Sequence, residues 1–324
     1  METSSLGDTG VEVTRFVYGA GSIGGIGGAA TTRGLGIDSA DGLRRLNEAY
    51  DLGIRTIDTA DSYGGGESER TVGRWLAEQP RDDVVVLTKV GGIVRPDQTD
   101  VDLSGPHVER QLAESIRRLG CVDLYLSHAP DPRTPIEETL TAFAAAREAG
   151  LIRAYGVSNV DAGLLDAILD VAAKRSLPRP ACVQNGLSLL NRADERDLLP
   201  LAAAEGIGYL AYSPLAGGVL SDRYLDGTAP GPGSRIALAG DRYYAGMHSA
   251  ENLIRVGALR DLARDNGIST AGLALAWLLA HPAVTAPVVS PSAETQWQAI
   301  REAVGADLDD TLFAAVSAVF SGHP

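Results

Sequence analysis

Eight times along this chain, a short run rich in β-branched and aliphatic residues precedes a stretch whose apolar residues recur at helical spacing. No other feature restricts the fold as much. Strands separated by helices pair in parallel, and eight such units over 324 residues predict a (β/α)8 barrel as one domain, residues 1–324. The predicted strands are RFVYGA, IRTIDTA, VVVLTKV, VDLYLSHA, IRAYGVSN, ACVQNG, IGYLAYSPL and VTAPVVS. SADGLRRLNEAYDLG, stopped by Gly53, typifies the helices between them. A long Gly- and Pro-rich insertion, roughly residues 216–250, follows the seventh strand. Its TAPGPGSR is turn chemistry and predicts a mobile loop. About residues 1–12 and the last few residues are expected to be disordered.

Composition excludes several classes. Hydrophobic residues make up 44% and charged residues 22%, which suits a globular, soluble chain with a large core. No run approaches the ~20 apolar residues of a membrane span. METSSLGDTGVEV lacks the basic-then-apolar order of a secretory leader, so a cytoplasmic location is expected. A formal charge of −14 with no basic stripe argues against nucleic-acid or membrane partners. Cys121 and Cys182 each border an apolar run and are expected to be buried thiols, as in a reducing compartment.

An early motif misleads. GAGSIG, Gly19–Gly24, matches Gly-x-Gly-x-x-Gly after a strand, the pattern of a Rossmann nucleotide site. The helix that this reading requires is missing, because GIGGAATTRGLG is too rich in glycine. A strand-end loop that lets a flat ligand approach the backbone fits better.

In a parallel barrel the chemistry sits at the C-terminal ends of the strands. Read in order, those ends carry Asp58 with Tyr63 in the following loop, Lys89, His128, Ser158–Asn159, Gln184–Asn185, Tyr212–Ser213 and Ser290. Any one of them has a structural explanation, such as a helix cap or a packed aromatic. Their convergence on one rim favours chemistry. Lys89 is the most telling, since lysine occurs only at positions 89 and 174 among 28 basic residues. A tyrosine hydroxyl, with a pKa of about 10, gives up its proton reluctantly at neutral pH. A nearby ammonium stabilises the phenolate and is expected to lower that pKa. A compact ammonium can be aimed at one oxygen, which a guanidinium fork does less well. Asp58 would keep Lys89 charged, and His128 would orient a carbonyl by a hydrogen bond. Tyr, Lys, Asp and His together make a device for protonating an oxygen that is becoming negative, as hydride addition to a carbonyl requires.

IDTADSYGGGESE, LTKV, LYLSHAPD, YGVSN and AYSPLAGG, one per strand end and in order, resemble the aldo-keto reductase family from about Phe16 to about Ala303. HAPDPRTPIEETL and YSPLAGGVLSDRY are similar to the branch containing the aflatoxin-aldehyde reductases and related bacterial enzymes. The resemblance implies that Tyr63 is the general acid, that Lys89 and Asp58 tune it, and that His128 orients the carbonyl. It implies that Ser158, Asn159 and Gln184 bind the nicotinamide carboxamide, with Asp58 beside them. Tyr212 would stack on the nicotinamide ring, Ser213, Leu215 and Gly217 would line the pyrophosphate, and Gly19, Ala20 and Gly21 would flank the nicotinamide. NADPH is the expected cofactor, with NADH the alternative, and no metal is expected. The substrate would be a small carbonyl compound. A sugar or nucleotide-sugar ketoreductase, and a cofactor-sensing regulatory subunit, are the other readings. Oligomeric state is left open.

The chain departs from the family's pattern after the eighth strand. SPSAETQWQAI offers Ser290 and Ser292 to a phosphate, but Gln296 stands where Arg is common and Ile300 where Asn is common. Arg223, Arg235 or Arg242 of the insertion would then have to grip the 2′-phosphate of NADP. Gly186 and Leu187 replace a Glu-Tyr pair and leave room in the pocket wall. Tyr224, Tyr243 and Tyr244 are candidates to refill it or simply to pack the insertion.

Overall fold

The computed structural model describes residues 1–92 and 100–321, apart from the side chains of Asp241 and Arg242. A hairpin, β1 (Thr3–Ser5) and β2 (Glu12–Thr14), comes first. Eight barrel strands follow: β3 (Val17–Gly19), β4 (Thr56–Asp58), β5 (Val85–Val90), β6 (Leu124–Ser127), β7 (Ala154–Ser158), β8 (Cys182–Gly186), β9 (Gly208–Tyr212) and β10 (Ala286–Val289). They pair in parallel, in chain order, and β10 returns to β3 to close the barrel.

Alternation along each strand divides the core in two. In β5, Val86 and Val90 face the helices, while Leu87 joins Val17, Leu124 and Leu210 in the cluster inside the barrel. Lys89, in register with Leu87, therefore points to the axis. The helical layer comprises α1 (Ser39–Asp51), α2 (Glu67–Leu76), α3 (Gly105–Leu119), α4 (Ile136–Glu148), α5 (Ala162–Arg175), α6 (Leu198–Ala204), α7 (Arg235–Tyr243), α8 (Ala250–Asp265), α9 (Thr270–Ala280), α10 (Trp297–Gly305) and α11 (Asp310–Val319). Side-chain caps start many of them: Asp38 accepts from Asp41 N, Asp161 from Leu164 N and Ser269 from Gly272 N. Gly120, at φ +88°, ends α3 in the left-handed conformation.

Three segments differ from expectation. The opening residues are ordered: Leu6, Val11 and Val13 are buried in the inner cluster, so the hairpin plugs the N-terminal end of the barrel. Three apolar residues spread over eight positions were too sparse to show this in sequence. The insertion, expected to be a loop, carries α7, whose N-cap Ser234 accepts from Ala237 N. Helix α11 was not anticipated. It covers α9, where Trp277 stacks on Phe313 and its indole N–H donates to Ser317 Oγ at 2.8 Å. Residues 322–324, part of the tail expected to be disordered, lie outside the described residues. Cys121 and Cys182 are both unpaired thiols, half-buried and buried. Among the described residues no helix is long and apolar enough to cross a membrane.

Candidate active site

Each polar strand end stands on the C-terminal rim. Tyr63 is turned onto it by local backbone chemistry. Gly64, Gly65 and Gly66 follow it with φ of +57°, +67° and +88°, a left-handed succession that only glycine adopts without cost. The loop after β3 comes close behind: a Cβ on Gly21 would lie 3.3 Å from the Tyr63 ring.

Lys89 Nζ is the hub. It donates to Asp58 Oδ1 at 2.5 Å, to the Thr59 carbonyl at 2.9 Å and to Tyr63 OH at 3.3 Å. Gln184 Nε2 donates to Asp58 Oδ1 at 2.9 Å. Burial works against the charge of Lys89, yet Asp58 and Tyr63 hold its pKa above the ordinary lysine value. Tyr63 corrects an expectation: burial pushes its hydroxyl above the usual value, and the downward pull of Lys89 does not cancel that. The Tyr63 hydroxyl is thus protonated at neutral pH, and Lys89 limits how far burial raises its pKa.

His128 meets the Tyr63 ring edge-on, with centroids 5.5 Å apart. Burial, aided by Lys89, lowers its pKa to about 3, so the imidazole is neutral at physiological pH. Ser62 Oγ lies 3.4 Å from its Nδ1, and a Cβ on Gly92 would sit 3.0 Å from that nitrogen. Ser62 and the Thr59 carbonyl were missed in sequence. Ser62 is an ordinary residue of the DTADSY run, and a main-chain oxygen leaves no trace in side-chain identity. Asp61 is also buried here. Neither carboxyl oxygen has a side-chain partner, and burial, then Glu69, raise its pKa well above the carboxylate range.

The next arc of the rim is polar. Ser158 Oγ donates to the Gln184 carbonyl at 2.6 Å, and the Asn159 amide donates to the His128 carbonyl at 2.7 Å and to Ser158 Oγ at 3.1 Å. Tyr212 OH donates to Asn159 Oδ1 at 2.7 Å, and burial raises its pKa to about 12. Asn159 (φ +59°), Ser213 (φ +54°) and Ala216 (φ +48°) are left-handed without being glycine. Such conformations cost of order 1–3 kcal/mol each and cluster at ligand sites. Leu215 is followed by left-handed Ala216, Gly217 and Gly218 in a tight turn, closed by the Gly218 N–H donating to the Leu215 carbonyl at 2.8 Å. That turn, the amide cluster and the bare backbone of Gly19 and Gly21 are where a dinucleotide would be held across the rim.

Beyond β10 the side chains are turned on their neighbours. Ser290 Oγ donates to the Gly19 carbonyl, and Gln296 Oε1 accepts from Ser292 N at 2.7 Å. Ile300 is buried in the core. Ala20 ties β3 to β4 through its N–H, 2.7 Å from the Asp58 carbonyl. In the insertion, Arg223 approaches this turn, 3.7 Å from a Cβ position on Gly218. Arg235 opens α7, and the Arg242 side chain lies outside the described residues. Tyr224 is buried against His248 and packs the insertion, whereas Tyr244 OH lies 3.4 Å from Ser213 Oγ. Tyr243 reaches Gly27 across the cleft. Among the described residues no group of three or more His, Cys, Asp or Glu side chains is placed to hold a metal ion.

Comparison with known proteins agrees with this geometry. The model of the Aldo/keto reductase family matches residues 24–320. The chain is 32% identical to an uncharacterized oxidoreductase, YrpG, of Bacillus subtilis, over 99% of this chain and 97% of that protein. It is 32% identical to a putative voltage-gated potassium channel subunit beta of Schizosaccharomyces pombe, over 90% of this chain and 84% of that one. It is 29% identical to the versiconal hemiacetal acetate reductase of Aspergillus parasiticus, over 87% and 86%. The chain belongs to the aldo/keto reductase family and is an NAD(P)H-dependent oxidoreductase.

Proposed function

We propose that this protein reduces an aldehyde or ketone to the alcohol, with NADPH as cofactor and the Tyr63 hydroxyl as proton donor. The reading rests on Lys89, held by Asp58 at 2.5 Å with its ammonium 3.3 Å from Tyr63 OH. When bound, the nicotinamide supplies the hydride. Ser158, Asn159 and Gln184 bind its carboxamide, Tyr212 stacks on the ring, and Ser213, Leu215 and Gly217 cradle the pyrophosphate. Neutral His128 donates a hydrogen bond to the carbonyl oxygen and sets its angle to Tyr63. As negative charge gathers on that oxygen, Tyr63 releases its proton, and Lys89 stabilises the phenolate left behind. Return of a proton from water resets the acid.

Cofactor consumption over a panel of aldehydes, ketones and sugars tests the activity, and Tyr63→Phe tests the donor. Loss of roughly 10²-fold or more in turnover, with unchanged cofactor affinity, is expected. Near-normal turnover removes Tyr63 from the mechanism. The similarity to a potassium channel subunit beta supports a second reading, a cofactor-sensing subunit in which turnover is incidental. Absence of turnover across the panel, with tight cofactor binding, would favour it.

A further inference from the structure

Ser62 is fully buried, and among the described residues its hydroxyl has one partner, His128 Nδ1, 3.4 Å from Oγ. Two loops close over this pair at glycines, Gly28 after β3 and Gly92 after β5. A Cβ on Gly28 would lie 2.7 Å from Ser62 Oγ. One on Gly92 would lie 2.6 Å from Ser62 Oγ and 3.0 Å from His128 Nδ1. A side chain at either position would push the hydroxyl from the imidazole, so the bare backbone keeps the two together.

The rest of His128 is already fixed. Its N–H donates to the Val90 carbonyl at 2.8 Å, and its carbonyl accepts from the Asn159 amide at 2.7 Å. The edge-on contact with Tyr63 limits the tilt of the ring. None of these contacts selects which ring nitrogen carries the hydrogen. A neutral imidazole has one N–H and one bare nitrogen, and burial keeps His128 neutral. With the hydrogen on Nδ1, Ser62 would have to accept it, and the serine's own O–H would be buried without an acceptor, a costly arrangement. With the Ser62 O–H donating into Nδ1, both groups are satisfied. The imidazole N–H then falls on Nε2, at the far end of a half-buried ring, where it makes no bond among the described residues.

We propose that Ser62 is a positioning residue for carbonyl reduction: its hydroxyl donates to His128 Nδ1, holds the imidazole in the Nε2–H tautomer and so presents that N–H to the substrate's oxygen. The inference rests on His128 as the carbonyl's hydrogen-bond donor in the proposed reaction. A contact of 3.4 Å is long, and bonds of this kind tighten once substrate is in place. When the carbonyl draws on Nε2–H, Nδ1 becomes a better acceptor, so the two bonds strengthen each other.

Ser62→Ala removes the donor and Ser62→Thr keeps it. Long-range proton–nitrogen NMR of protein labelled with nitrogen-15 histidine, at neutral pH, reads the tautomer and the hydrogen bonding of each ring nitrogen. Of the five histidines, His128 is the one whose signals vanish in His128→Gln. The wild type and Ser62→Thr should show Nε2–H with Nδ1 accepting a hydrogen bond. In Ser62→Ala the Nδ1 resonance should move to that of a free acceptor, or the Nδ1–H tautomer should appear. With 4-nitrobenzaldehyde, kcat should fall roughly tenfold in Ser62→Ala, the scale of one buried group left without its hydrogen bond, and recover to within about threefold in Ser62→Thr. Cofactor affinity should be unchanged in both.

An Nδ1–H tautomer in the wild type overturns the proposal, as does equal kcat in wild type and Ser62→Ala. A loss of kcat with an unchanged His128 spectrum also overturns it and leaves Ser62 a packing role. If the wild type turns over no carbonyl compound, the proposed reaction fails, and the spectra alone still decide whether Ser62 sets the tautomer.

Discussion

Gln184 and Lys89 donate to the same oxygen of Asp58, Oδ1, at 2.9 and 2.5 Å. The carboxylate is thereby fixed from two strands, β8 and β5, and the ammonium it holds can point in only one direction. An arginine at position 89 would pair bidentately with Asp58 and lose that aim. Lys89→Arg is expected to lower kcat by ~10²-fold or more, the scale of a positioned proton donor. Lys89 pulls the Tyr63 pKa down, so weakening its contact raises that pKa. With Tyr63 as the proposed acid, activity is lost as pH rises through its pKa, so the alkaline limb of the rate profile is expected to move to higher pH. Lys174→Arg is the control: Lys174 is exposed and pairs with Asp170 on its own helix. Equal activity in the two variants would take Lys89 out of the chemistry.

His128 makes the fold sensitive to acid. Its pKa falls to about 3 in the folded state, from an ordinary value of 6.5. Below the ordinary value the unfolded chain binds the proton and the folded chain does not, so stability declines as pH drops from about 6.5 towards 3. His128→Gln should flatten the urea-midpoint curve over that window and leave its shape above pH 7 unchanged. Parallel curves for the two proteins would show that the imidazole is not held neutral.

Arg223 stands beside the Gly217–Gly218 turn rather than after β10, where Gln296 is turned back on Ser292. If it meets the 2′-phosphate, Arg223→Ala should weaken NADPH about five- to tenfold more than NADH, the scale of an exposed charge-assisted contact. Isothermal titration with both cofactors measures this. Equal weakening would point to a pyrophosphate contact, and no change would release Arg223 from the cofactor.

Gly73 faces the α2–α3 crossing, and a Cβ on it would lie 2.0 Å from the Arg118 carbonyl oxygen. That carbonyl belongs to the segment carrying the buried Arg118–Glu69 pair, 2.5 Å apart. Gly73→Ala should therefore destabilise the fold by about 1–3 kcal/mol or more, despite the helix propensity gained. A thermal midpoint unchanged from wild type would contradict the close approach.

The barrel was legible because strands such as VVVLTKV and VDLYLSHA are short, apolar and separated by amphipathic helices. In a parallel barrel their C-terminal ends must then share one rim. Asp58, Lys89, His128, Ser158 and Gln184 each follow such a run directly, so their neighbourhood could be read from position alone. What escaped notice depended on long-range packing. The hairpin rests on three buried apolar residues, and α11 on the flat faces of Trp277 and Phe313. The net rise of the Tyr63 pKa escaped too, since burial is a property of the assembled rim and no residue type announces it. Ser290, Ser292 and Gln296 looked available in sequence, but their bonding to Gly19 and to one another shows only in three dimensions.

The seam between β3 and β10 carries a lesson about time. Ser290 bonds the Gly19 carbonyl across a separation of 271 residues, and Arg15 reaches the Val284 and Thr285 carbonyls just below. On a ribosome the first barrel strand is made long before its partner β10. Until then β3 keeps one edge unpaired, a template for mispairing. Truncation before β10 leaves that edge open for good, so the strand that closes the ring determines whether everything translated before it becomes a finished vessel or an aggregate.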